Sequence, residues 1–273
     1  MIKRIEVQDF INKTKNKQNL ILGIFAHPDD EVLNMGGLII KAVQKNIKVV
    51  LICLSRGEKG ITSDLYKNNI DVIRKKEFFQ AGKIYGLEQK DLKIYNFPDG
   101  RFFYSQDKLE KKLLNLLFKY QPSVIVTHDP SGKTYHPDHI TTSIVLKKII
   151  SRNFLGKTRF YYSVYSSLQR KTYKNLNKNI YQSNFPPDFK TMPKPDYCLK
   201  LNNKDIEIQK KACLAYKSQR LFQNLSLDLD LWLNLLFDKE YYHLVKLQEK
   251  YLFKFRKYKY KEVNFKNESQ KKT

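Results

Sequence analysis

Cysteine is scarce in this 273-residue chain: three, at Cys53, Cys198 and Cys213, scattered and odd in number. A disulfide framework needs paired cysteines in an oxidising compartment. The count therefore argues against a stapled fold and for a reducing cytosol. Cys53 lies in Val49-Val50-Leu51-Ile52-Cys53-Leu54 and reads as a buried strand residue. No apolar run approaches the roughly eighteen residues that a membrane-spanning helix needs. The start, Met1-Ile2-Lys3-Arg4-Ile5-Glu6, has no apolar run behind its charges and does not read as a signal peptide. Tryptophan occurs once, as Trp232, and is expected in the core of a late helix. The Gly36-Gly37 pair lacks the Lys and Ser/Thr of a phosphate loop. It lies inside a helical pattern and is expected to let helix and sheet approach closely. There is no internal repeat and no linker long enough to separate domains. The expectation is one domain over residues 1–262, with a core at 1–150 and an extension of the same domain at 151–262. The polar residues 263–273 read as a disordered tail.

Acidic residues are the other shortage. Against 51 Lys and Arg stand 27 Asp and Glu, a formal net charge of +24. One reading is an anionic partner, either nucleic acid or an acidic membrane surface carrying the substrate. The other is a Lys- and Asn-rich composition that makes the whole surface basic. The lysines are spread along the chain and no nucleic-acid motif accompanies them, so no nucleic-acid partner is expected. An aromatic-basic strip, Phe253-Lys254-Phe255-Arg256-Lys257-Tyr258-Lys259-Tyr260-Lys261, reads as an edge strand, a membrane-contacting strip or a frayed tail. The localisation expected from these features is cytoplasmic, with peripheral contact at the inner membrane face.

What is present is an alternation. Apolar, strand-like runs fall at 20–26, 47–54, 91–97 and 123–127, and helical patterns at 31–45, 65–85, 107–120 and from the mid-130s to about 150. Ser63 or Asp64 would cap the second helix, and Gly86 follows its end. Apolar strands alternating with helices predict an α/β fold: three layers, α/β/α, around a mostly parallel, Rossmann-like sheet with an irregular C-terminal extension. Residues 160–166 read as a further strand, 185–195 as a proline-rich loop over the sheet edge, and 205–221 and 228–250 as helices.

Two short stretches carry the chemistry: Ala26-His27-Pro28-Asp29-Asp30-Glu31 and His136-Pro137-Asp138-His139. They hold three of the five histidines; the first follows a strand at once, and the second opens the helix after the fourth strand. An aspartate before an apolar helix is an ordinary N-cap, and His-Pro is a common turn start. Neither reason explains two such clusters in one sheet. In parallel sheets ligands bind beyond the carboxyl ends of the strands, where both motifs fall. Pro28 stiffens a turn from which His27 and Asp30 can face one point, with Asp29 beside them. His136 and His139 lie three apart on the first turn of a helix and can face the same side. That provides a His, Asp, His ligand set with two spare groups. One is an acid suited to taking a proton from water. The other is a histidine suited to an oxyanion or a leaving amine. Zinc suits such mixed ligands, and another divalent transition metal, iron or cobalt, is an alternative.

The paired motifs resemble the signature of the PIG-L family, also called LmbE-like, of zinc-dependent N-acetylglucosaminyl deacetylases. The resemblance implies that His27, Asp30 and His139 bind zinc and that Asp29 is the general base. It implies that His136 assists the tetrahedral intermediate, with Asp138 orienting or tuning it. Leu54-Ser55-Arg56-Gly57-Glu58 and Phe97-Pro98-Asp99-Gly100 are similar to family segments in which Arg56 would contact substrate and Asp99 would hold sugar hydroxyls. Arg74-Lys75-Lys76-Glu77 through Gly86 and Lys211-Ala212 through Ser218-Gln219 look like further family helices. One departure concerns a tyrosine that some members place two residues before the second motif. Thr134 stands there, and Tyr135 directly precedes His136. His128, closing the fourth strand, reads either as a site contact or, preferentially, as a structural residue near Asp129. His243 reads as structural or exposed.

The resemblance implies an amide hydrolase that removes the N-acetyl group from an N-acetylglucosamine conjugate, small or lipid-linked. Two rivals remain: a zinc amidase acting on a non-sugar amide, and a non-catalytic basic protein holding nucleic acid on the same fold.

Overall fold

The computed structural model describes residues 2–11, 19–60, 68–154, 158–171, 191–219 and 238–246. The elements in chain order are β1 (Lys3–Arg4), α1 (Val7–Ile11), β2 (Leu20–Phe25), α2 (Asp30–Asn34), α3 (Gly36–Gln44) and β3 (Lys48–Cys53). There follow α4 (Ile70–Ile84), β4 (Leu92–Ile94), α5 (Gln106–Tyr120), β5 (Val124–His128), α6 (Pro137–Asn153), β6 (Arg159–Val164), β7 (Tyr197–Lys200), α7 (Asn203–Leu214) and β8 (Lys239–Leu244).

Side-chain alternation along the central strands builds two cores, one on each sheet face. Ile21, Phe25, Leu51, Cys53, Val124 and Val126 face one way, toward Leu38 and Ile39 of α3, Phe78 and Ala81 of α4 and Ala212 of α7. Leu20, Leu22, Ile24, Val50, Ile52 and Ile125 face the other, toward Leu109, Leu113 and Leu117 of α5 and Leu146 and Ile150 of α6. Every residue of β2 is buried. This is the three-layer α/β/α arrangement expected from the sequence.

The eight strands run in the order β1-β7-β8-β6-β5-β2-β3-β4. The chain winds outward from β2 through β3 to β4, each pair parallel, and then returns to place β5 on the other side of β2. The winding direction therefore reverses between β2 and β5. The two neighbours separate beyond their carboxyl ends at that point, which opens a crevice. Both motifs leave the sheet there.

Beyond β6 the sequence reading needs correction. Residues 239–244, expected within a helix over 228–250, form β8, antiparallel to both β6 and β7. Glu240 and Tyr242 are buried while their neighbours are half-exposed, a period of two. Tyr241 and Tyr242 packed between two strands outweigh local helix preference. The short strands β1 and β7 and the helix α1 were not anticipated. The helix expected over 31–45 is broken at Met35, whose backbone is non-helical (φ −153°, ψ 21°). The break lets Gly36 meet α7: a Cβ there would lie 1.9 Å from Gln209 Oε1. The close approach of the Gly36-Gly37 pair is therefore to α7 and β8 rather than to the central sheet. The capping residues proposed at 63–64, Trp232, the strip at 253–261 and the tail at 263–273 lie outside the described residues.

Candidate metal centre and active site

At the end of β2 the chain passes through His27 and Pro28 into Asp29, whose φ of 104° is left-handed. A non-glycine residue there is strained unless its surroundings hold it. Arg74 of α4 supplies the hold. Its Nη2 donates to the Asp29 carboxylate at 3.1 Å and to the Pro28 carbonyl, and its Nη1 donates to Gly57 O at 3.0 Å. From the other side, the Asp29 N–H donates to Glu31 Oε2 at 3.2 Å, and the Tyr216 hydroxyl donates to Glu31 Oε1. Asp30 then opens α2.

At the end of β5, Asp129 shapes the next turn by accepting the N–H groups of Ser131 at 2.7 Å and Lys133 at 3.1 Å. A single helical turn, Gly132–Tyr135, follows and is interrupted at Lys133 (φ 56°, ψ −41°). Gly132 has φ +67°, and a Cβ on it would lie 2.9 Å from His139 Cβ, so glycine lets this turn close over His139. His136 is the N-cap of α6, with Pro137 at the first helical position.

The two loops bring His27, Asp30 and His139 together. His27 Nδ1 lies 3.0 Å from His139 Nε2, His139 Nε2 lies 3.2 Å from Asp30 Oδ1, and His27 Nδ1 lies 3.6 Å from Asp30 Oδ2. All three residues are buried. His136 joins them edge-on, its ring 4.6 Å from that of His27. Among the described residues, His27-His136-His139 and Asp30-His128-His139 are two of the groupings whose donor atoms lie close enough for one ion.

Hydrogen bonding on the far side of each ring decides what faces the centre. His139 Nδ1 bonds to Gly132 O at 3.0 Å, which places the proton there and leaves Nε2 as a lone pair. His27 Nε2 donates to Asp99 Oδ1 at 3.0 Å and Asp138 Oδ2 at 3.2 Å, which turns Nδ1 inward. Two facing lone pairs 3.0 Å apart repel unless a proton or a cation lies between them. A divalent cation accepts both lone pairs, and Asp30 adds a carboxylate oxygen. Imidazole, imidazole and carboxylate are a donor set that zinc and its neighbours accept, so the residues present fit the ion that the motifs imply.

Burial and mutual charge shift the groups of the site strongly. Burial by itself would lower the His27 pKa, yet hydrogen bonds to Asp138 and Asp99 and the Asp30 charge carry it up to about 10. Burial pushes Asp30 up, but the charges and hydrogen bonds of His139 and His128 hold it well below the carboxylate range. Burial raises Asp29 to about 6, with Arg74 opposing and Asp30 adding to the rise. Burial, and then the charges of His27 and His139, bring His136 down to about 2, so it is a neutral hydrogen-bonding group.

The remaining candidates have these partners. The Asp138 carboxylate faces His27 and the amides of Gly100 (2.6 Å) and Phe102 (3.0 Å); it is the Asp138 backbone N–H that donates to His136 Nδ1, at 3.2 Å. Asp99 is engaged by His27 and by the Lys59 N–H at 2.9 Å. Arg56 pairs with Asp71 at 3.3 Å. His128 does not turn to Asp129; its Nε2 lies 3.2 Å from Asp30 Oδ2. Arg74, Glu31 and Tyr216 were not singled out for the site. Arg74 had a readable signal, because with Ile70, Phe78 and Ala81 it falls on the buried stripe of α4, where a charge needs a partner.

Residues 22–150 match the family model for PIG-L, described as GlcNAc-PI de-N-acetylase. The chain is 27% identical over 155 residues to "Probable N-acetyl-alpha-D-glucosaminyl L-malate deacetylase 2" of Bacillus anthracis, covering 55% of this chain and 67% of that protein. It is 30% identical over 141 residues to mycothiol S-conjugate amidase of Streptomyces coelicolor, covering 45% and 48%. The matches thus span from about half to about two thirds of those relatives. Among solved structures, the N,N'-diacetylchitobiose deacetylase of Pyrococcus horikoshii has the same fold, with a TM-score of 0.62, 21% identity, and 89% and 88% of the two chains covered.

Proposed function

Residues 22–150 form a PIG-L family domain, and from that premise we propose that the protein is a metal-dependent hydrolase that de-N-acetylates an N-acetylglucosamine conjugate. One observation carries the reading. Two nitrogen ligands and a carboxylate converge at the switch point of the sheet, with Asp29 held beside them by Arg74. His27, Asp30 and His139 would hold a divalent ion, zinc the first choice, which would supply Lewis-acid chemistry for water and a carbonyl oxygen.

The chain's own groups do the rest. Asp29 accepts a proton from the attacking water as its oxygen bonds to the acetamide carbon. His136 takes the Asp138 amide on Nδ1, so its proton sits on Nε2 and serves as a donor to the developing oxyanion. As the C–N bond breaks, protonated Asp29 returns its proton to the departing amine. Acetate and the free amino sugar leave, and Asp29 is ready for another cycle. Asp138 and Asp99 keep the His27 ring turned inward throughout.

The relatives act, by name, on malate-linked, mycothiol-derived and chitobiose substrates, which supports an amino-sugar conjugate as the substrate class. The test is acetate release from a panel of N-acetylglucosamine conjugates with and without a chelator, alongside a non-sugar acetamide. His139→Ala should lose the metal. Asp29→Ala should keep it and lose about two to four orders of magnitude in rate. Chelator-insensitive activity, or near wild-type turnover by Asp29→Ala, overturns the proposal.

A further inference from the structure

We propose that His128 is a positioning residue that fixes the Asp30 carboxylate at the metal site; the inference rests on the metal-site reading above. The argument begins with the two oxygens of Asp30. Oδ2 accepts the His27 backbone N–H at 2.7 Å and faces His128 Nε2 at 3.2 Å. A carboxylate oxygen has two lone pairs, and both are taken. The other oxygen, Oδ1, lies 3.2 Å from His139 Nε2, while Oδ2 is also the oxygen nearer His27 Nδ1, at 3.6 Å.

The proton on His128 follows from its surroundings. The ring is fully buried at the end of β5, and its Nδ1 meets no hydrogen-bond partner among the described residues. A neutral imidazole has one N–H to place, and the acceptor is at Nε2. A second proton on Nδ1 would be a buried donor with nowhere to go. The ring itself is clamped. It stacks on His139 with centroids 3.9 Å apart and planes 3° from parallel, and it meets Phe25 edge-on at 5.2 Å. His128 therefore touches two of the three ligands, one through a hydrogen bond and one through its face.

The consequence is for the placement of the carboxylate. His128 and the His27 amide together fix Oδ2, and with it the plane in which Asp30 meets His139 and His27.

The test uses zinc as the probe, with affinity measured by competition against a chromogenic chelator. His128→Phe keeps a ring on His139 but has no donor. It should bind zinc about 10 to 100 times more weakly than wild type. His128→Gln presents an amide N–H where Nε2 stood and should recover roughly half or more of the logarithmic loss. Zinc affinity of His128→Phe within about twofold of wild type overturns the inference, since the expected change is tenfold or larger. So does an equal loss in the Phe and Gln variants, which would assign the effect to packing alone. If His128→Phe does not fold, nitrogen-15 NMR of the wild-type histidines decides. An Nε2–H tautomer at His128 supports the proposal and an Nδ1–H tautomer refutes it. Absence of zinc binding by wild type would overturn the metal site and this inference together; zinc binding by wild type with His128→Phe unaffected would overturn this inference alone.

Discussion

Replacing Asp138 with alanine should unfold more of this protein's stability than a single surface-loop carboxylate would suggest. Asp138 is fully buried on the first turn of α6, and its two oxygens accept the amides of Phe102 at 3.0 Å and Gly100 at 2.6 Å as well as His27. Hydrogen bonds to a charged acceptor are worth about 1.5–3 kcal/mol each, and a buried donor left without a partner costs about 1–3 kcal/mol. Gly100 is exposed and can turn to water, whereas Phe102 is buried and cannot. Removing the carboxylate also removes its own desolvation cost, which offsets part of the loss. The net expectation is about 3–5 kcal/mol, and at about 2–4 °C per kcal/mol for a chain of this size the midpoint falls by roughly 6–20 °C. The measurement is thermal unfolding followed by circular dichroism on chelator-treated protein, so that lost metal binding does not add to the change. Asp138→Asn, which keeps one acceptor oxygen but turns an NH₂ toward a donor, should fall between the two. A midpoint for Asp138→Ala within about 2 °C of wild type would refute the reasoning, because the amides of the 99–102 loop would then be satisfied some other way.

Other outcomes follow from the same structure. Gly36→Ala should cost about 1–3 kcal/mol in urea unfolding, because the new methyl displaces Gln209 from its bonds to Tyr85 and Val32; unchanged stability would mean that α3 and α7 can separate. Tyr216→Phe should cost about 1–3 kcal/mol, because it leaves Glu31 buried without its hydroxyl partner; burial already raises that carboxyl to about 8, with Tyr216 opposing the rise. Burial pulls the Lys133 ammonium down to about 8 from the usual 10.5, with the Asp129 charge opposing. The folded chain therefore binds fewer protons than the unfolded one between those values, and stability gains a component that rises with pH across that window. Lys133→Met should flatten this component, read as the difference in urea midpoints between wild type and variant at about pH 7.5 and about pH 10.

Local pattern alone determined the α/β class, the parallel strands β2 to β5, the helices between them and the position of both motifs in the loops beyond β2 and β5. Buried parallel strands and amphipathic helices write their periods directly into composition, and His, Asp and Pro packed into six residues have few ordinary uses. What pattern could not decide was long-range pairing. β8 carries a strand's period over only six residues, and nothing local says that two antiparallel partners await it. His128 and Arg74 are a strand end and a stripe position until the sheet order sets β5 beside β2 and α4 packs over the crevice. His128 then meets Asp30 from a residue 98 positions away, and Arg74 meets Asp29 across 45. Asp138 likewise looked bound to its sequence neighbour His136, and the fold gave its carboxylate to His27 and to the 99–102 loop. The proposed ligands were legible from residue type and short spacing. The bonds that orient those ligands are made across the sheet, so only the tertiary structure assigns them.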